Sequence, residues 1–194
     1  WISFTSKLAA LSGIQAVLLL LVMFCGIVAQ LRFNYYHFEI PLYLEYLFGV
    51  QFIDLVLMSV LALFIQTIVN QKYLGFFVVI AYYLFTLFFM DSLGLGHNLY
   101  KYASSPGMPY SSMNGYGHYW TGFLWFKLYW ACFAVMLAVI ANIFWVRGVT
   151  DGFKSRWRMA AARFTGKTQL TFFVAFLLFV GSGAYIFYNT NILN

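Results

Sequence analysis

The sequence predicts an all-α, polytopic integral membrane helix bundle with five transmembrane helices and a short re-entrant outer segment. Composition, hydropathy and segment length carry that prediction. Of 194 residues, 63% are hydrophobic and only 8% charged, whereas a soluble domain carries about 25% charged residues. Mean hydropathy is +0.82. Five apolar runs are long enough to be helices crossing the hydrocarbon core, which takes about 20 residues.

The runs are 8–31, 51–70, 73–95, 121–146 and 169–188. The chain is read as one transmembrane domain over 1–194. Residues 40–50, IPLYLEYLFGV, are apolar but half a span long, and are expected to lie in the interface or to form an elbow into the second helix. The segment 149–168 alternates Phe153, Trp157 and Phe164 with Lys154, Arg156, Arg158 and Arg163. That pattern suits an interfacial helix with its cations toward anionic headgroups. Cys25 and Cys132 fall inside apolar runs and are read as packing residues. The chain begins with Trp1 and has no signal-peptide pattern, so it is expected to be a piece of a longer polypeptide.

Cationic residues set the expected orientation, because cytoplasmic connections are enriched in Lys and Arg. The connection 147–168 carries Arg147, Lys154, Arg156, Arg158, Arg163 and Lys167 and is placed inside. Alternation then puts Lys7, the turn at Asn70–Lys72 and the N-terminus inside; Arg32, Lys101 and the C-terminus fall outside. The net charge of +6 is therefore an orientation signal, and nucleic acid is not expected as a partner.

The segment 93–120, LGLGHNLYKYASSPGMPYSSMNGYGHYW, interrupts the apolar pattern. It holds two of the three prolines, two of the three histidines and a dense set of Tyr, Ser, Asn and Gly. At 28 residues it exceeds a helical hairpin loop. Its breaks favour short helices dipping into the outer leaflet. Backbone at that depth is tolerated only when buried in protein or facing a wet cavity, so the segment reads as an outer gate or cap. The residues expected to form it are His97, Asn98, Tyr100, Pro109, Tyr110, Asn114 and His118.

His37, His97 and His118 share the outer side but lack ligand spacing, and structural hydrogen bonding is the expected role; no metal ligand is assigned. Asp54, Asp91 and Lys127 lie near the outer ends of their helices, where a Lys127–Asp91 or Lys127–Asp54 pair, a proton relay or a substrate contact would account for charge at depth. Ala131, Ala134, Ala138 and Ala141 form a small-residue stripe on one face, and Gly181–Ala184 form a similar notch; both read as helix packing in lipid. AARFTGKT at 161–168 ends like a phosphate loop, but Ala161 stands where Gly is required and an amphipathic segment precedes it. No catalytic, cofactor-binding or nucleotide-binding residue is assigned, and the chain is not expected to be an enzyme.

Gly96-His97-Asn98-Leu99-Tyr100, Pro109-Tyr110-Ser111 and Met113-Asn114-Gly115-Tyr116-Gly117-His118 resemble a group of bacterial ABC exporter permeases fused to a periplasmic zinc aminopeptidase-like domain. Phe48–Gln51, Trp125–Trp130 and Tyr185–Asn191 extend the resemblance over essentially the whole chain. The resemblance implies part of the second membrane half of such a permease, in the bacterial inner membrane. Its partners would be the lipid bilayer, the other permease half and a separate cytoplasmic ATPase carrying ATP and Mg. Zinc would be held only in a peptidase-like domain following Asn194. If the first span is the exporter's third, Trp1–Ser6 is the tail of a coupling helix, 93–120 is the re-entrant segment, and the fifth span leads to the peptidase-like domain. A passive membrane anchor or scaffold, and a histidine-based metal or redox subunit, are the alternative readings.

Overall fold

A computed structural model describes residues 2–69, 71–111, 113–145 and 153–192. Arg147 and the turn residue Asn70 lie outside the described residues, as do the side chains of Lys154 and Arg156. The elements are α1 (Ile2–Arg32), α2 (Ile40–Leu44), a π-helical segment (Glu45–Gln51), α3 (Phe52–Val69), α4 (Lys72–Phe88), α5 (Tyr119–Phe144), α6 (Phe153–Arg163) and α7 (Gly166–Asn191). Four helices are long and apolar enough to cross a membrane: 3–32, 40–69, 119–144 and 166–191. The expected third span forms the shorter apolar helix α4. Its 17 residues rise about 26 Å at 1.5 Å each, just under the ~30 Å hydrocarbon core.

Two compact units are present, Trp1–Ser59 and Val60–Asn194. In the first, Gln15 on α1 donates its side-chain amide to Ser59 Oγ at 2.7 Å and to the Leu55 carbonyl at 3.3 Å. Such interhelical polar bonds hold helices together where apolarity gives no drive to associate. Gly26 lets Tyr43 approach α1, since a Cβ there would lie 3.0 Å from the Tyr43 hydroxyl oxygen. Residues 40–50, expected as an interfacial stretch or elbow, instead run into α3 as one continuous helical stretch with Pro41 in its first turn. The π-helical segment Glu45–Gln51 joins the two α-helical parts.

In the second unit, α4 turns tightly back from α3. Gly75 makes this possible, because a Cβ there would sit 3.3 Å from the Gln66 Cα. The principal packing is α5 against α7. Trp125 meets Tyr185, Tyr129 stacks on Phe179, and Phe133 meets Phe179, with ring centroids 4.3, 4.3 and 5.4 Å apart. Rising numbers on α5 meet falling numbers on α7, so the pair is antiparallel. Gly183 supplies the notch that Tyr129 fills, a Cβ there lying 3.0 Å from the ring. The expected alanine stripe is unevenly used: Ala134 and Ala141 are buried, Ala138 is half-buried and Ala131 is exposed. The close approach of α7 therefore rests on a small residue meeting an aromatic ring.

The basic segment does form a helix, α6, and it docks under the C-terminal end of α5. Val139, Ile143 and Ala160 are buried together, with Phe144, Phe164 and Phe172 around them. Arg163 donates to the carbonyls of Ile143 at 3.3 Å and Trp145 at 2.6 Å. It thereby serves carbonyls that the end of α5 leaves without intrahelical partners, and places a cation at the negative end of the helix dipole. Away from these contacts the helices expose large apolar side chains: Leu18, Leu20, Leu21 and Val22 on α1 and Phe173, Leu177 and Leu178 on α7 are each about half exposed or more. A surface of that extent is unsuited to water and suited to lipid.

Candidate functional site

The expected short helices are not what residues 89–118 form. Among the described residues this stretch is built of turns. The chain reverses with positive φ at Gly94, Ala103, Gly115 and Gly117, and Pro106 and Pro109 cannot supply a helical N–H. The segment divides into a docked half, His97–Pro106, and an exposed half, Gly107–His118.

Two donors one helical turn apart on α5 hold the docked half. Lys127 Nζ donates to the Ala103 carbonyl at 2.7 Å, and Trp130 Nε1 donates to the Ser104 carbonyl at 2.9 Å. Successive carbonyls can be presented to one helix face because Ala103 is left-handed, with φ of 62°. Tyr102 inserts its ring edge-on to Trp130 and Phe133, centroids 5.3 and 5.8 Å away. Burial, with the nearby Tyr82 hydroxyl adding to it, pushes the Tyr102 hydroxyl well above its ordinary pKa of 10.0. Lys127 is only 4% exposed and its ammonium lies 5.0 Å from the centre of the Phe123 ring, a cation–π contact in a site shielded from water.

Local hydrogen bonds brace the same half. Ser104 Oγ donates to Asn98 Oδ1 at 2.7 Å, closing the loop on itself. The Leu99 N–H donates to His97 Nδ1 at 3.1 Å, so that nitrogen serves as an acceptor. The His97 ring lies between Tyr100 and Phe126, 6.3 and 6.4 Å from each. Tyr100 itself is exposed.

The exposed half is a small hairpin. Ser111 and Gly115 exchange backbone hydrogen bonds of 2.9 and 2.7 Å. Met113 stands at its tip, 96% exposed. Tyr116 is the anchor, buried between Tyr110 and Trp120 with centroids 5.5 and 6.1 Å away. Gly117, at φ of 46°, permits the Asn114 side chain to fold over the turn. Pro109, Asn114 and His118 are exposed, and the His118 ring packs 4.2 Å from that of Tyr119.

Of the two pairings expected for Lys127, the one with Asp91 is not formed. Asp91 pairs with Lys101 at 2.6 Å, on the exposed side of the segment, while Lys127 donates to the Ala103 carbonyl. The expected Lys127–Asp91 pair is thus replaced by two separate attachments of the same segment. Asp54 lies in the first turn of α3. His37 is exposed in the first unit, its ring 6.2 Å from that of Tyr35. Among the described residues no three His, Cys, Asp or Glu side chains converge on a point that could hold a metal ion.

Sequence reasoning named seven residues of the segment but missed Ala103, Ser104 and Trp130, which carry its attachment. The detectable signal was the i, i+3 spacing of Lys127 and Trp130, two long donors on one face of an otherwise apolar helix.

Among the described residues, fold and site together define an all-helical protein with four helices long and apolar enough to cross a membrane and a turn-rich segment fastened to the N-terminal half of α5. Comparison with protein-family models, with curated proteins and with solved structures gave no match.

Proposed function

We propose that this chain is the membrane-spanning permease part of an ATP-driven ABC-type exporter, with residues 93–118 as its extracytoplasmic gate. The observation that carries the reading is the attachment of the segment to α5 through Lys127 and Trp130. Two hydrogen bonds and one inserted ring make a small number of discrete contacts. A cap held this way can release and re-dock as a unit, as a gate in alternating access requires. The resemblance of Gly96–Tyr100, Pro109–His118 and Tyr185–Asn191 to exporter permeases fused to a zinc aminopeptidase-like domain supports the same reading. The cationic connection 147–168 favours an orientation with the cap and the C-terminus outside, which is the side a peptidase-like domain would need. The cytoplasmic ATPase and the other permease half complete the assembly.

The same attachment also suits a passive anchor whose cap never opens. Affinity purification of the chain from its native membrane, followed by measurement of ATP hydrolysis, separates the two. The exporter reading expects an ABC ATPase to co-purify and its turnover to change when Lys127→Met and Trp130→Phe are combined. An ATPase indifferent to these substitutions supports the anchor. Absence of any ATPase from the complex overturns the exporter reading.

A further inference from the structure

Beneath α5 lies an apolar cleft that the proposed gate does not use. Phe144, Trp157, Phe164 and Phe172 wall a space of about 340 Å³ over Ile143 and Ala160. This is within the size range of small-molecule sites, roughly 300–1,000 Å³. The walls are paired rings, Phe144 with Trp157 at 5.7 Å and Phe164 with Phe172 at 6.3 Å. Trp157 is 61% exposed although it lines the cleft, so the opening is broad. Because α6 joins two helices each long enough to span, insertion of both would bring the cleft to a membrane face in either orientation.

Exposed cations neighbour the cleft-lining residues in sequence. The cleft-lining positions on α6 are 157, 160 and 161, with Phe164 just beyond its end, and Arg158 is turned about 100° from Trp157, to one flank of that stripe. Lys167, in the first turn of α7, lies between the lining residues Phe164 and Phe172 in sequence; both cations are exposed. Arg163 sits on the opposite flank, but its guanidinium is engaged with the Ile143 and Trp145 carbonyls. From Ser92 to Asn194 the sequence carries a single acidic residue, Asp151. An apolar cleft with exposed cations next to its lining residues in sequence, on a helix that joins two potential spans, matches a ligand with an acyl chain and an anionic head. Inorganic phosphate would gain nothing from the cleft, and a zwitterionic lipid would gain little from the cations.

We infer that the α5–α6–α7 cleft binds one anionic phospholipid, with an acyl chain between the four rings and the phosphate against Arg158 and Lys167. The inference is independent of transport, since a passive anchor would carry the same site. Native mass spectrometry of the full chain in detergent, titrated with phosphatidylglycerol or phosphatidylcholine, tests it. Each basic residue near an anionic headgroup contributes about fivefold in affinity, from ~1 kcal/mol apiece. Two cations therefore give phosphatidylglycerol an advantage of about 30-fold. The double substitution Arg158→Gln, Lys167→Gln is expected to bring phosphatidylglycerol down to the phosphatidylcholine level. Ala161→Trp, at an exposed position on the cleft edge, is expected to displace both lipids. Equal binding of the two lipids by the unmodified chain overturns the inference. So does a preference that survives loss of both cations, or lipid retention unchanged by Ala161→Trp.

Discussion

Replacing Lys127 by Met removes the strongest attachment of the cap while preserving side-chain length. The ammonium donates at 2.7 Å to the Ala103 carbonyl, and both residues are nearly inaccessible, 4% and 6% exposed. A hydrogen bond to a charged group contributes about 1.5–3 kcal/mol, and a buried carbonyl left unpartnered costs about 1–3 kcal/mol. These two figures describe the same loss from two sides and are not added. Relief of the desolvated charge works in the opposite direction for global stability, because a buried ammonium is costly to keep. The expected signature is therefore local: the midpoint of global unfolding changes little, while the cap opens more often. A loss of about 1.5–3 kcal/mol raises the opening equilibrium roughly 10- to 100-fold. Hydrogen exchange reads this directly at the Tyr100 and Ser104 amides, whose backbone bonds of 3.0 Å close the turns of the docked half. Unchanged exchange at both amides in Lys127→Met would refute the claim that Lys127 holds the cap.

Three further outcomes follow from the packing. Gly183→Leu should drive a side chain into Tyr129, whose ring lies 3.0 Å from a Cβ at that position, lowering stability by about 1–3 kcal/mol in detergent unfolding. Arg163→Met should free the carbonyls of Ile143 and Trp145 and cost about 1–2 kcal/mol, seen as faster exchange in α6 with α5–α7 unaffected. Tyr102 has a hydroxyl raised by burial above 10.0, so its neutral form is the one that docks. The stability it contributes is fully present below pH 10.0 and is lost as pH rises through the higher folded-state value. Tyr102→Phe should remove that component of alkaline cap opening, followed by exchange at Tyr100 as pH is raised.

The helices were legible because each depends on a local quantity, the length of an apolar run. Their ends were less so. Apolar composition continues past Phe88 to Leu95, yet α4 stops because Asp91 turns out to Lys101 and Gly94 reverses the chain at φ of 72°. Residues 40–50 read as an interfacial stretch or an elbow into the second helix, but a π-helical segment carries them into α3 as one continuous helical stretch, and a π-helix leaves no compositional trace. The cap was visible as an anomaly of Pro, Gly and aromatic residues. Its fastening was not, because it uses backbone carbonyls of Ala103 and Ser104, and every residue has a carbonyl. Alanine at a left-handed position is also the opposite of what sequence would suggest there. The Lys127–Asp91 pairing misled for a related reason: equal depth along neighbouring helices does not specify rotation, and Asp91 found Lys101 within its own segment.

The central claim is that residues 93–118 form a moving extracytoplasmic gate. Met113 is the most direct reporter, being 96% exposed at the tip of the hairpin. Met113→Cys, in a chain with Cys25→Ser and Cys132→Ala, would be challenged in right-side-out membranes with a membrane-impermeant maleimide, before and after ATP is supplied to the assembled complex. The account expects labelling from the outside at a rate that changes with ATP. Labelling only from the cytoplasmic side, or an outside rate indifferent to ATP, would contradict it.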